Sequence, residues 1–154
     1  MEGKTMIDFK NIPDWWALCP GENCPRADEC LRHRVYNEAP TRFSQWACVL
    51  PHVRRDGECR YFQKDEIVRM VRGMKALYAA IRDRRVCADI RKDLMACFGS
   101  NGAYYRYHNG ERWMNPEMQQ MIQAVLKRNG YNGEAQYDEV VFSYDFTVRP
   151  EADI

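Results

Sequence analysis

Seven cysteines stand in a chain of 154 residues, and three of them crowd into "CPGENCPRADEC" as Cys19, Cys24 and Cys30. Thiolates within reach of one another can hold a metal ion, exchange disulfides or act as nucleophiles. The Cys19-x4-Cys24-x5-Cys30 spacing is compact, and His33 follows three residues on. A further sulfur would come from Cys59 in "GECRYF" or Cys48 in "WACVL". Three or four thiolates with glycine and proline in the loops suit a closed tetrahedral zinc site, with His33 as a possible substitute ligand. The spacing is not the CxxC knuckle, so buried reduced cysteines compete with this reading. An iron–sulfur cluster competes less strongly, on the ground that Cys19 and Cys24 both precede proline.

A second constellation is "GAYYRYHNGER", residues 102–112, with three tyrosines, a histidine and two arginines in eleven positions. Exposed tyrosine or arginine on a short helix can reach base edges, and arginine pairs bidentately with guanine. An aromatic core corner is the competing account. Nucleophilic catalysis could be drawn from Cys30 with His33, or from Cys97 with His108. It needs a third orienting group or an oxyanion motif, and neither is evident, so no enzyme is expected.

The net charge of +1 hides an asymmetry. Residues 1–63 balance at nine basic and nine acidic groups; residues 64–128 carry thirteen basic against seven acidic, and residues 129–154 one against six. A basic middle suits a polyanion such as duplex DNA, although solvated helix faces would give the same count. No apolar run is long enough to span a bilayer, so no membrane partner is expected. The first residues show no signal-peptide core, which makes the cytoplasm the expected compartment and a disulfide framework the weaker use of the thiols.

These side chains need elements to position them. "TMIDF" and "RFSQWACVL" have strand composition, and residues 25–38 read as a helix with Pro25 at its first position. Asp56-Gly57 signals a turn. Residues 64–85 read as one long helix, because Ile67, Val71, Met74, Tyr78 and Ile81 form a stripe at steps of four and three. "ADIRKDLMACFG" is a second helix, with Ile90, Leu94 and Cys97 or Phe98 inward and Gly99 as its stop. "AYYRYH" is a third, closed by Asn109-Gly110. A fourth has Asn115 as N-cap, Pro116 next, Met118, Met121, Ile122 and Val125 inward, and Gly130 as stop. The tail alternates from Val140 to Val148 as a half-buried strand. Its expected partners are the two N-terminal strands.

Helix, glycine turn, short helix and third helix are the order of a helix-turn-helix unit. "SNGAYYRYHNG…MNPEMQQMIQAVLKRNGY" resembles the headpiece of the lac-repressor family over residues 88–131. Ser100, Arg106, Asn109, Gly110, Pro116, Glu117, Gly130 and Tyr131 are the matching positions. That resemblance implies Ser100 and Asn101 near phosphates, Tyr105 and Arg106 facing the groove, and Tyr104 and Tyr107 in the tri-helical core. Arg91 and Lys92, with Arg82, Arg84 and Arg85, would be phosphate contacts. The chain is too short for that family's sugar-binding domain, and no hinge helix follows Tyr131.

Taken whole, the layout is similar to an uncharacterised bacterial family, a domain of unknown function, that shares "C…CP…CLR", a later "C-x-Y/F-F" and "YYRY…GER…P-E-x-Q…I…GY". By that resemblance Cys19, Cys24, Cys30 and Cys59 are the recurring set and Cys48 stands apart. The expectation is an α+β protein: a cysteine-clustered part (1–63), a helical part (64–131) and an acidic tail with a terminal strand (132–154). A small antiparallel sheet would join its two ends. The expected function is a DNA-binding regulatory or accessory protein with a structural or redox-sensing metal site. The alternative is a zinc-stabilised protein-interaction module that binds a protein partner and no nucleic acid.

Overall fold

Described residues run from 5 to 53 and from 58 to 150 in this computed structural model. The expected Asp56-Gly57 turn lies outside them. In chain order the elements are helix α1 (Leu31–Glu38), strand β1 (Val68–Arg72), and helices α2 (Lys75–Ala80), α3 (Arg84–Cys97), α4 (Asn101–His108) and α5 (Pro116–Arg128). Strand β2 (Glu139–Ser143) follows, and single 3-10 turns form at Phe9–Asn11 and Ala27–Glu29. Among the described residues, five helices and one two-stranded antiparallel sheet make this an α+β protein. Contacts divide it into two units: the described residues up to Ile67 with 148–150, and Val68–Thr147.

In the first unit the expected strands are absent among the described residues. "TMIDF" leads into the Phe9–Asn11 turn, and "QWACVL" contributes one parallel bridge, Leu18 to Cys48. Order comes instead from Trp16, Leu31 and Val35, which are fully buried, and from the Trp46 indole N–H donating to the Trp16 carbonyl at 3.0 Å. Helix α1 starts at Leu31, six residues later than Pro25 suggests. The reason is Cys30, which stays extended at φ −98°, ψ 123° to bridge Lys64, while Leu31 donates its N–H to Gln63. Pairing with a distant segment overrides a local helix-start signal there.

The second unit corrects the long helix expected over residues 64–85. Val68–Arg72 is a strand, Gly73 turns the chain at φ +78°, and α2 occupies only Lys75–Ala80. A Cβ at Gly73 would lie 2.2 Å from the Asp138 carboxylate, so only glycine fits. That carboxylate accepts from the N–H of Lys75 (3.3 Å) and of Ala76 (2.8 Å), capping α2. Four of the five stripe residues still face the core: Val71, Met74 and Ile81 are buried and Tyr78 packs beside them, whereas Ile67 is exposed.

The tail strand is corrected in partner and in face. β2 pairs with β1, Val68 opposite Ser143 and Arg72 opposite Glu139, and not with an N-terminal strand. Val140 and Phe142 point outward, Phe142 at 71 % exposure, while Tyr144 is buried. Alternation identifies two sides of a strand but does not say which meets the core. The other edge of β1 is met by Met114, which exchanges two backbone hydrogen bonds with Val71 (2.7 and 3.1 Å).

Helices α3, α4 and α5 share one core of Ile90, Leu94, Tyr104, Ile122, Val125 and Leu126. Their ends follow the local chemistry. Asp83 caps α3, Ser100 Oγ accepts from Ala103 N–H to cap α4, and Asn115 Oδ1 accepts from Met118 N–H to cap α5. Gly99, Gly110 and Gly130 take positive φ at the stops.

Candidate functional site

Four thiols line one pocket in the first unit: Cys19, Cys24, Cys30 and Cys59. Its cavity is about 60 Å³, far below the several hundred Å³ of a metabolite site, and is of a size for an ion or a few waters. The loop between Cys19 and Cys24 folds back on itself because Gly21 and Asn23 both take positive φ (69° and 56°), closing a Cys24 N–H to Gly21 carbonyl turn. Gly21 is required at that place, since a Cβ would meet the His33 ring at 2.3 Å.

The first turn of α1 stitches the remaining sulfurs to this loop. Cys19 N–H donates to the Arg32 carbonyl (3.2 Å), Leu31 N–H to Gln63 (2.7 Å), and Arg32 Nε to Tyr61 (2.7 Å). Cys59 lies in the same run, where its carbonyl accepts from Phe62 N–H at 3.0 Å. Cys30 occupies the N-cap position of α1, where the helix dipole favours negative charge. Cys48 is exposed and is not among the residues lining this pocket; Cys97 is exposed and Cys87 half-buried in the second unit.

His33 also lines the pocket, but both ring nitrogens are in use. Nδ1 stands 3.1 Å from the Cys19 carbonyl and Nε2 is 3.0 Å from Asn37 Nδ2. A neutral ring that donates at Nδ1 and accepts at Nε2 satisfies both contacts. Among the described residues no three cysteine, histidine, aspartate or glutamate side chains are drawn together closely enough to be ligands as they stand.

The residue that sequence reasoning missed is Arg32. It is 1 % exposed, donates to the carbonyls of Tyr61 and Ala17 (2.7 and 2.8 Å), and lies 4.3 Å over the Trp16 ring. Burial pulls its pKa below the ordinary arginine value, and Cys30, Tyr61, Cys59 and Cys19 oppose the shift. Its signal was present in the sequence as the arginine of "CLR", two residues after a cysteine, inside a thiol-rich run.

In the second unit, Tyr104 is buried on the inner side of α4 and Tyr107 stacks on Phe98 with centroids 4.7 Å apart. Those are the two core roles expected of them. Tyr105, at 46 % exposure, and Arg106 face outward, as do Ser100, Asn101 and Lys92. Arg91 is exposed but committed within the unit: its guanidinium lies 4.8 Å over the Tyr78 ring. Tyr78 and Tyr104 share a 2.7 Å hydroxyl contact, and Tyr104 reaches His108 Nδ1 at 3.4 Å. Burial pushes the Tyr78 hydroxyl well up, and burial with the Arg91 charge holds His108 below its ordinary pKa.

The chain belongs to a family of unknown function, DUF6078, whose model matches residues 1–146. No curated protein and no solved structure matches the chain significantly. No helix among the described residues is long and apolar enough to cross a membrane.

Proposed function

We propose that this member of the DUF6078 family is a DNA-binding regulatory or accessory protein, with α4 as its reading helix and a structural or redox-sensing zinc site in the thiol pocket. The observation that carries the reading is the disposition of α4. It follows α3 after a glycine turn, buries Tyr104 against α3 and α5, and turns Tyr105 and Arg106 to solvent. The likeness of residues 88–131 to a lac-repressor-type headpiece supports the same roles. Arg82, Arg84, Arg85 and Lys92 are exposed and, among the described residues, form no ion pair, which leaves them for phosphates. Arg91 contributes less, because its guanidinium already lies over the Tyr78 ring. Ser100 and Asn101 begin α4, where backbone N–H groups and the dipole favour an anion.

Fluorescence anisotropy against random and selection-enriched duplexes tests this. Binding should weaken steeply with salt. Arg106→Ala should cost about 1–3 kcal/mol at the preferred site, with less loss on random duplex. No binding at low salt overturns the proposal. A protein-interaction module is the second reading, favoured by Val140 and Phe142, which leave an apolar patch on the outer face of β2.

A further inference from the structure

We propose that the open edge of β2 is a homodimer interface, where a second copy of this chain lays its own β2 antiparallel about a two-fold axis at Val141. The inference goes beyond the function proposed above, since α4 and the thiol pocket take no part in it. The direction of the backbone groups carries it. Val71 commits its N–H and its C=O to Met114, on the side of β1 away from β2. Val71 and Val140 are therefore opposite each other without hydrogen bonds between them, and the alternation of an antiparallel ladder makes Arg69 and Phe142 another such pair. The Arg69 carbonyl agrees: it accepts from Gln119 Nε2 at 2.8 Å, and the same amide reaches the Met114 carbonyl at 3.1 Å. In pairs of this kind both residues turn N–H and C=O away from each other. Val140 and Phe142 thus aim theirs outward from β2, and among the described residues no hydrogen bond meets them.

The side chains fit the same use. Val140 is 42 % exposed and Phe142 71 %. An open edge is ordinarily guarded by lysine, proline or a bulge. Glu139–Ser143 reads "EVVFS", and its single charge, Glu139, is held by Arg72 of the same chain at 2.6 Å. Self-pairing about Val141 sets Val140 opposite the partner's Phe142, and Phe142 opposite the partner's Val140. Each couple exchanges both of its N–H and C=O groups, which uses every outward group of the strand. A β-branched residue opposite an aromatic one is a favourable cross-strand pair. Glu139 falls opposite the partner's Ser143, so no like charges meet. A second copy therefore suits this edge in length, register and charge, and the two sheets become one. Five residues a side are well short of the about 20–30 in a standard interface, so the dimer should be weak and concentration-dependent.

Sedimentation velocity of the full chain under reducing conditions, from low to high micromolar concentration, should show the mass rising from monomer towards dimer. Phe142→Pro removes an outward N–H that β1 does not use, and should hold the chain monomeric with its circular dichroism retained. Cysteine cross-linking reads the register, in a Cys48→Ser, Cys97→Ser background that removes the exposed thiols. At the two-fold axis the Cα atoms of the two copies of position 141 would lie about 4.5 Å apart, within disulfide reach. Val141→Cys should therefore give a covalent dimer on mild oxidation, whereas Val140→Cys and Phe142→Cys should give one only when mixed with each other. A wild type that stays monomeric throughout overturns the proposal, and so does a dimer that Phe142→Pro leaves intact. Equal cross-linking from all three positions also overturns it, because a loose apolar contact has no register. If Phe142→Pro does not fold, Val141→Cys against its two neighbouring single variants decides. Duplex binding by α4 is read by its own anisotropy assay, so its failure and the failure of this dimer are told apart.

Discussion

His108 sits where charge, burial and an aromatic cluster meet. Its ring lies 5.6 Å from both Tyr78 and Tyr104, and its carbonyl accepts from Met74 N–H at the start of α2. Burial lowers its pKa, Arg91 and Lys75 lower it further, and Asp138 opposes them. A base whose folded pKa lies below its unfolded value binds fewer protons when folded. Its contribution is fully present above about pH 6.5 and is lost as pH falls toward the depressed folded value. The melting temperature should therefore drop across that window by an amount that His108→Gln lacks, on the order of 2 °C. Thermal melts of the two proteins between pH 5 and 8 measure it. Parallel curves would mean that the ring is not protonated more readily on unfolding. Asp93 adds nothing in this range, since its carboxyl is held below its ordinary value of 3.8 by Asn129 and Arg128.

Among the elements, the break between β1 and α2 has the plainest cause. Gly73 takes φ +78° and leaves room for the Asp138 side chain, which arrives from just before β2 to cap α2. Gly73→Ala should cost about 2–4 kcal/mol, combining the left-handed penalty with loss of the cap. Gly99→Ala is the control, because Gly99 has a similar φ of +84° but nothing within 4 Å of an added Cβ. It should show the left-handed penalty alone, about 1–2 kcal/mol. Urea denaturation of both variants separates the two contributions, and equal losses would refute the collision with Asp138.

Across the chain, the tail does more than pair. Residues from 137 onward supply the α2 cap, all of β2, buried Tyr144, and a Val148 carbonyl 3.5 Å from the Arg32 guanidinium. Arg149 also lies 5.3 Å over the Trp15 ring. The end of the chain thus returns to the first unit through a carbonyl and a cation–π contact, where a strand was expected. Deleting residues 137–154 should lower the melting temperature by several degrees or more, since an apolar strand and a cap together are worth a few kcal/mol. Deleting only 148–154 keeps β2 and should cost less. Calorimetry of the two truncations orders these effects, and an unchanged curve for the longer deletion would show that the tail contributes little.

The legible parts of the sequence are those whose cause is local. Asn115 with Pro116, and the glycines at 99, 110 and 130, mark ends of α3, α4 and α5 by a side-chain cap and left-handed stops, which act within a few residues. The spacing of Ile90, Leu94, Ile122 and Val125 likewise marks inward faces, and the clustering of Cys19, Cys24 and Cys30 shows where thiol chemistry would lie. Elements whose cause is distant were not legible. Val68–Arg72 carries an apolar stripe that suits a helix as well as a strand, and its state depends on Ser143 to Glu139 and on Met114. Cys30 stops α1 from starting early only because Lys64 pairs with it. Arg32 reads as one more helix-surface cation until Tyr61, Ala17 and Trp16 close around it. A strand needs its partner and a buried charge its surroundings, and neither is written in the few residues on either side.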